Sequence, residues 1–350
     1  MGNPKAKQIL LTAEADFGKD DATAKSFVLL VNENGIVGTD NTKTDNVIGG
    51  DIDSGGELYV TSTDTVGSIK SPMYYEQIGI FLKTFFGDEI TTQNDEQKAK
   101  NVYSHTFKSN KCIKSFSVED TLMTKCNKTG ADKDIIKRFN GLMANTMAMQ
   151  ISPDGDYVIE VNYIGATAKD NLTDATLTAI DTANKISLNA TRIKNAHAKL
   201  YIGDDLSDLT ALEPYKLAKD FSLNLDRGTQ SYKVLTYGAA VDDSKFDVSG
   251  SMSSLFDGEF YKKARANTKQ QVKVVLQNGD YSLILFMPEV QFSFEDSART
   301  YGETYPMNLK FSCSKTGLTE AKIEVVLNNK ISSYGNNVQD KTKEALPAVP

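Results

Sequence analysis

The stretch Thr146-Met147-Ala148-Met149-Gln150-Ile151-Ser152-Pro153-Asp154-Gly155-Asp156-Tyr157-Val158-Ile159-Glu160-Val161-Asn162-Tyr163-Ile164 decides the fold class. Met147, Met149 and Ile151 alternate with small or polar residues, Pro153 to Asp156 spell a turn, and Tyr157, Ile159, Val161 and Tyr163 alternate on the return. Period two on both sides of a turn is the pattern of an antiparallel hairpin buried on one face. Its other face carries Gln150, Ser152, Glu160 and Asn162. A second hairpin follows the same rule: Val272, Val274 and Leu276 lead into Asn278-Gly279-Asp280, and Tyr281, Leu283, Leu285 and Met287 come back. Short alternating segments bounded by Gly, Asp, Asn and Pro recur along the chain, so a mainly β fold of antiparallel strands is expected.

Two helices interrupt the strands. The first is predicted from Ser71 as N-cap and Pro72 at the first helical position to Gly87 just past the end, with Tyr74, Ile78, Phe81, Leu82 and Phe85 as its apolar stripe. For the second, Asp257 is the predicted cap and Glu259 lies in the first turn. Phe260, Tyr261 and Ala264 face inward there, and Lys262, Lys263 and Arg265 face outward. Each helix follows a strand and precedes strands. That order, in a chain of 350 residues, predicts two related halves, although no residue-level repeat is evident. The expected division is a first β domain over residues 1–170 with a polar loop at 32–54, a connecting segment at 171–190 and a second β domain at 191–328. An extended C-terminal arm then occupies 329–350. The loop and the arm, dense in polar residues, are either solvated surface or segments that order against another subunit.

Composition removes several function classes. Asp and Glu number 46 against 39 Lys and Arg, a net charge of −7, which argues against a basic grip on nucleic acid. Only His105 and His197 are available for acid–base work near neutral pH, and each stands alone among residues of strand character, so both are expected to be structural or surface histidines. Cys112, Cys126 and Cys313 form neither a disulfide framework nor a CxxC pair and are expected to be reduced thiols. Residues 1–11 lack the apolar run of a secretory signal, and no 18-residue apolar run predicts a membrane helix. Ala6 occupies the position where myristoylation at Gly2 needs Ser or Thr.

Two local motifs invite a metal. Asp247-Val248-Ser249-Gly250-Ser251-Met252 resembles the DxSxS site of von Willebrand factor A domains, where the acid and both hydroxyls converge on a hard cation at the end of a buried parallel strand. The preceding Val241-Asp242-Asp243-Ser244-Lys245-Phe246 is too polar for such a strand, which favours an ordinary strand with outward Ser and Asp. Asp51-Ile52-Asp53-Ser54-Gly55-Gly56 begins like a calcium loop, but Gly55 and Ser62 replace two of its ligands, so a Gly-rich turn before a strand at Leu58–Thr61 is the better reading. GxGxxG, GxxxxGK[ST], HExxH and GxSxG are all missing, and no catalytic, cofactor-binding or metal-binding residue is expected.

Several segments, taken in order, carry a family resemblance. They are Leu11-Thr12-Ala13-Glu14-Ala15-Asp16-Phe17-Gly18, then Gly55-Gly56-Glu57-Leu58-Tyr59-Val60, then Ser71-Pro72 through Phe86-Gly87-Asp88. A strand pair of His105-Thr106-Phe107 with Ser115-Phe116-Ser117-Val118-Glu119 follows, then paired strands ending in Tyr163-Ile164-Gly165-Ala166. In the second half come Ala198-Lys199-Leu200-Tyr201-Ile202-Gly203, Phe221-Ser222-Leu223-Asn224-Leu225, Val248 to Met252, and Tyr281 to Pro288. The series, over about residues 8–328, resembles the tail tube proteins of long-tailed bacteriophages, of the type with two halves.

The resemblance implies two tail-tube domains of barrel or sandwich type, each with a packed helix and each giving long strands to a barrel shared between subunits. It implies stacked rings forming a conduit for DNA delivery, with three copies of a two-half chain preferred over six. The implied partners are further copies of the chain, a tape-measure protein, and tail tip and terminator proteins. DNA would pass without specific binding, no membrane would be involved, and the subunit would join the virion tail after assembly in the host cytoplasm. Glu160, Asn162, Gln150 and Ser152 are the candidate conduit residues. The alternatives are a metal-dependent adhesion module and another β-rich virion structural protein.

Overall fold

The structure, a computed structural model, describes residues 5–19, 24–44, 58–109, 113–123, 134–153, 157–209, 212–234, 238–242, 244–295, 306–315, 317 and 321–334. The first half contains β1 (Lys5–Ala13), β2 (Ser26–Leu29), β3 (Glu33–Asn34), β4 (Val37–Thr44), β5 (Leu58–Pro72), α1 (Ile78–Phe86), β6 (Gly87–Thr92), α2 (Asp95–Lys100), β7 (Tyr103–Ser109), β8 (Phe116–Met123), β9 (Ile135–Ile151), β10 (Val158–Gly165) and β11 (Thr167–Asp170). After them come β12 (Lys185–Ser187), β13 (Ala198–Gly203), β14 (Ala218–Asp226), β15 (Gln230–Val234), β16 (Gly238–Asp242), β17 (Asp247–Leu255), α3 (Gly258–Arg265), β18 (Gln270–Asn278), β19 (Tyr281–Glu295), β20 (Pro306–Cys313) and β21 (Glu324–Asn329). The fold is mainly β, as expected, and every strand pair among the described residues is antiparallel except β2 with β12.

Two long strands organise the rest. The N-terminal part of β9 pairs with β8 and β11, and its C-terminal part pairs with β10 and β14. In the same way β19 pairs with β18 and β21 in its first part and with β20 in its second. Each long strand changes sheets at an irregularity that bends it. In β9 the register skips Asn145 between Thr146 and Ala144, and Gly141 has φ 67°. In β19 the skip lies between Met287 and Val290, around Pro288, a residue tolerated in strands at bulges. The outcome is one eight-stranded sheet, β4-β5-β10-β9-β14-β17-β20-β19, with two outer sheets: β12-β2-β1-β8-β9-β11 and β13-β18-β19-β21-β7-β6. Among the described residues no barrel closes within a single chain.

The two halves share one plan. In the first, β5, α1, β8, β9, β10 and β11 follow in that order; in the second, β17, α3, β18, β19, β20 and β21 do the same. The eight-stranded sheet repeats the order β4-β5-β10-β9 as β14-β17-β20-β19, and α1 packs on β9 as α3 packs on β19. The first half adds the β6–β7 hairpin, which completes the outer sheet of the second.

Both predicted hairpins form, with Asn278 opposite Tyr281 across the turn that Gly279 makes at φ 59°. The Asp154–Asp156 turn of the first lies outside the described residues, as do Cys112, Cys126 and the Asp51–Gly56 segment. The second helix begins as predicted, since the Asp257 carboxylate accepts the amides of Glu259 and Phe260. The first does not. Ser71 and Pro72 end β5, and α1 starts only at Ile78. Extended pairing wins there because the Met73 amide donates to the Tyr157 carbonyl and the Met73 carbonyl accepts from Ile193. The N-cap residue Gln77 makes no capping hydrogen bond, but every residue of α1 except Lys83 is buried. Each such Leu or Phe contributes about 1.5–3 kcal/mol, more than the ~1 kcal/mol of a cap.

Three further expectations are corrected. Residues 37–44, read as part of a polar loop, form β4 on β5. The segments at 105–107 and 115–119 are not a strand pair, because β7 pairs with β6 and β21 while β8 pairs with β1 and β9. A helix beyond one per half, α2, is capped by an Asn94–Gln97 box and buries none of its residues.

Candidate functional site

The eight-stranded sheet has two unlike faces. One is apolar and packs on the helices: Ile159, Val161 and Tyr163 of β10, Met147, Met149 and Ile151 of β9, and Phe221, Leu223 and Leu225 of β14 are all buried. The other is polar across both halves. One row of directly opposed residues runs Lys70, Glu160, Ala148, Asn224, Ser249, Ser312 and Gln291, crossing from β5 to β19. The next runs Ser68, Asn162, Thr146, Asp226 and Asp247. Glu160, Asn162 and Gln150, the sequence-predicted face residues, lie on it, and Ser152 follows the end of β9. Acids outnumber bases there by a narrow margin: Asp64, Glu160, Asp220, Asp226 and Asp247 stand against Lys70 and Lys310 of the strands and against Lys245 and Lys322, which ion-pair with Asp226 and Asp247.

Asp247 shows how this face handles charge. It pairs with Lys245 and Lys322, and the hydrogen bond from Lys322 holds its carboxyl below the usual range, with Lys245 adding and partial burial opposing. Ser249 and Ser251 project outward from a strand paired on both sides, so the DxSxS resemblance is carried by an ordinary antiparallel strand. Among the described residues no group of three His, Cys, Asp or Glu is placed to hold a metal ion.

The sheet crosses from one half to the other at the β9–β14 seam, where Thr146 opposes Asp226 and Ala148 opposes Asn224. The bulge residue Asn145 extends the seam: its carbonyl accepts the Arg227 amide and its side chain accepts the Thr229 amide. Arg227 is buried. It donates to the Phe85 carbonyl at the C-terminal end of α1, where a cation is favoured, and lies 6.0 Å from the centre of the Phe85 ring and 5.9 Å from that of Phe246.

A residue-level repeat emerges once the strands are superposed by pairing. Gly67-Ser68-Ile69-Lys70-Ser71-Pro72 ends β5, and Gly250-Ser251-Met252-Ser253-Ser254-Leu255 ends β17. Ser71 and Ser254 are both fully buried, and each hydroxyl donates to the carbonyl of the next residue. Gly67 lies opposite Tyr163 and Gly250 opposite Phe311, an aromatic residue opposed to a glycine in both cases. A Cβ at Gly250 would sit 2.1 Å from the Ser222 carbonyl, and one at Gly67 would sit 2.2 Å from the Gly35 carbonyl. Sequence reading missed this pairing although Gly-Ser-apolar-x-Ser was present in both places.

Both histidines are committed to structure. His105 is fully buried, with Nδ1 2.7 Å from the Glu89 carboxylate and Nε2 3.2 Å from the Asn329 side chain. Burial pushes the Glu89 carboxyl up, but His105, Lys83 and the Tyr334 amide outweigh it and hold the group below the usual range. His197 meets the Tyr75 ring and the Lys194 amide. The Cys313 thiol is buried and pushed up to about 12, which makes it a poor nucleophile.

These features define a β-rich structural protein in which one strand unit occurs twice and shares a single polar face. A family model described as phage tail tube protein matches residues 5–314. The chain belongs to the phage tail tube protein family, a structural component of phage tails. A comparison with curated proteins returns no match.

Proposed function

We propose that the chain is the repeating subunit of a tail tube, in which copies join edge to edge into rings of three and the rings stack around a conduit for DNA. One observation carries this reading: two equivalent four-strand units already share a continuous sheet, with the polar face unbroken across the seam. A flat sheet with open edges is an aggregation hazard, and closing it on itself removes the edges. A face of Ser, Asn, Gln and net acid suits a passage that DNA must cross without adhering, since bound phosphates need Lys and Arg.

In this reading the apolar face and helices lie outside and the face bearing Glu160 and Asn162 lies inside. No catalysis is assigned to the chain. The further partners are the tape-measure protein within the conduit and the tip and terminator proteins at its ends. Assembly takes place in the host cytoplasm and the product resides in the virion tail. Negative-stain microscopy of the purified protein tests it: rings or hollow tubes are expected, and uniformly monomeric particles over a range of concentrations and salts would overturn it.

A further inference from the structure

The open edges of the eight-stranded sheet are its first and last strands. Among the described residues β4 pairs only with β5, and residues 291–295 of β19 carry a strand only on the β20 side. The repeat makes these edges equivalent to the two strands that already meet inside the chain. Aligning Gly67 with Gly250 places Val37, Gly38 and Thr39 where Asn224, Leu225 and Asp226 stand. Aligning Tyr163 with Phe311 places Ser293, Phe294 and Glu295 where Thr146, Met147 and Ala148 stand.

Resting on the tube reading, we propose that the seam between neighbouring copies repeats the internal β9–β14 seam, in its register: Ser293 opposite Thr39 of the next copy, Phe294 opposite Gly38 and Glu295 opposite Val37. The pairing is antiparallel, as it is inside the chain. It carries the polar face onward, since Ser293 and Thr39 are both exposed and occupy the positions of Thr146 and Asp226. It also sets an aromatic residue opposite a glycine, the arrangement that Tyr163 with Gly67 and Phe311 with Gly250 already show. A one-residue slip would turn the polar set of one edge to the apolar side, so the alternation on both strands selects this register. The contact is heterologous, using two different edges, and therefore propagates from copy to copy until a ring closes.

The test is disulfide trapping in assembled tubes. Directly opposed residues across antiparallel strands have Cβ atoms about 4.5–5.5 Å apart, close enough for a bond after small adjustment. The doubly substituted Ser293→Cys/Thr39→Cys chain is assembled under reducing conditions, imaged, then oxidised and run on a non-reducing gel. A ladder of covalent oligomers ending at a closed ring is expected, absent from either single variant and from the offset pair Ser293→Cys/Asp40→Cys. The pair Glu295→Cys/Val37→Cys repeats the measurement should the first variant fold poorly. Tubes that cross-link through the offset pair, or through neither designed pair, would overturn the register while the tube reading stands. Wild-type protein that never assembles would overturn both.

Discussion

Among the described glycines of the sheet, Gly250 and Gly67 leave the least room for a side chain. Gly250 sits under the Phe311 ring, and each would drive a Cβ into a backbone carbonyl, that of Ser222 for Gly250 and that of Gly35 for Gly67. Overfilling a packed site costs about 1–3 kcal/mol, and more where backbone must move. Gly250→Ala is therefore expected to destabilise the folded chain by about 3 kcal/mol, and Gly67→Ala, whose φ of 153° disfavours a side chain as well, by at least as much. Calorimetric melting of both variants checks this, and an unchanged Tm in either would remove the close approach as the reason for its glycine. Neither role was legible in the sequence, because a glycine announces freedom of backbone or of space without saying which. For the histidines, isolation from other ligands suggested a structural or surface place, and the burial of His105 against Glu89 was beyond reach.

At the scale of elements, the hairpins were legible because burial on one face writes itself as period two. β4 was not, because Val37-Gly38-Thr39-Asp40-Asn41-Thr42-Lys43-Thr44 has no apolar alternation and is a strand only through its pairing with β5. Tyr334, placed by the sequence in the C-terminal arm, is held by contacts that no alternation announces. Tyr334 is fully buried: its hydroxyl donates to the Glu76 carbonyl and accepts from Asn329, its amide donates to Glu89, and its ring fills the space left by Gly79. Truncation after Tyr334 keeps that anchor in the chain. Truncation after Lys330 removes that ring and should cost about 3–5 kcal/mol, as large aromatic deletions do. Equal thermal stability of the two truncated chains would show that Tyr334 does not anchor the segment.

For the whole molecule, the deciding quantity is the charge of the shared face. Glu160 lies on β10, the third of the sheet's eight strands, opposite Lys70 on one side and Ala148 on the other. Glu160→Lys changes a side chain on the polar face and none in the apolar core, so ring and tube formation should persist. A reversed charge repeated around every ring would attract phosphates, and DNA ejection from particles carrying the variant is expected to slow, more so at low salt. Ejection at the wild-type rate in low salt would take Glu160 off the conduit wall. From the sequence alone the acid excess argued against a grip on nucleic acid and the scarcity of histidine against acid–base chemistry; a passive wall came only with the family resemblance. Continuity of the polar face across the two halves became visible only in the pairing of β9 with β14.

That pairing has a bearing on how a tube begins. Separate bodies lose translational and rotational freedom each time they associate, at an estimated 4–15 kcal/mol per event, which is about the whole stability of a small domain. Two units joined by a tether meet instead at an effective concentration in the millimolar range for a short linker. With Arg227 and Asn145 fastening β14 to β9 inside one polypeptide, every second junction of the proposed ring is complete as soon as the chain folds, however dilute the protein. Only the alternate junctions feel dilution. In the proposed tube, nucleation then depends only on the few encounters that make those remaining contacts.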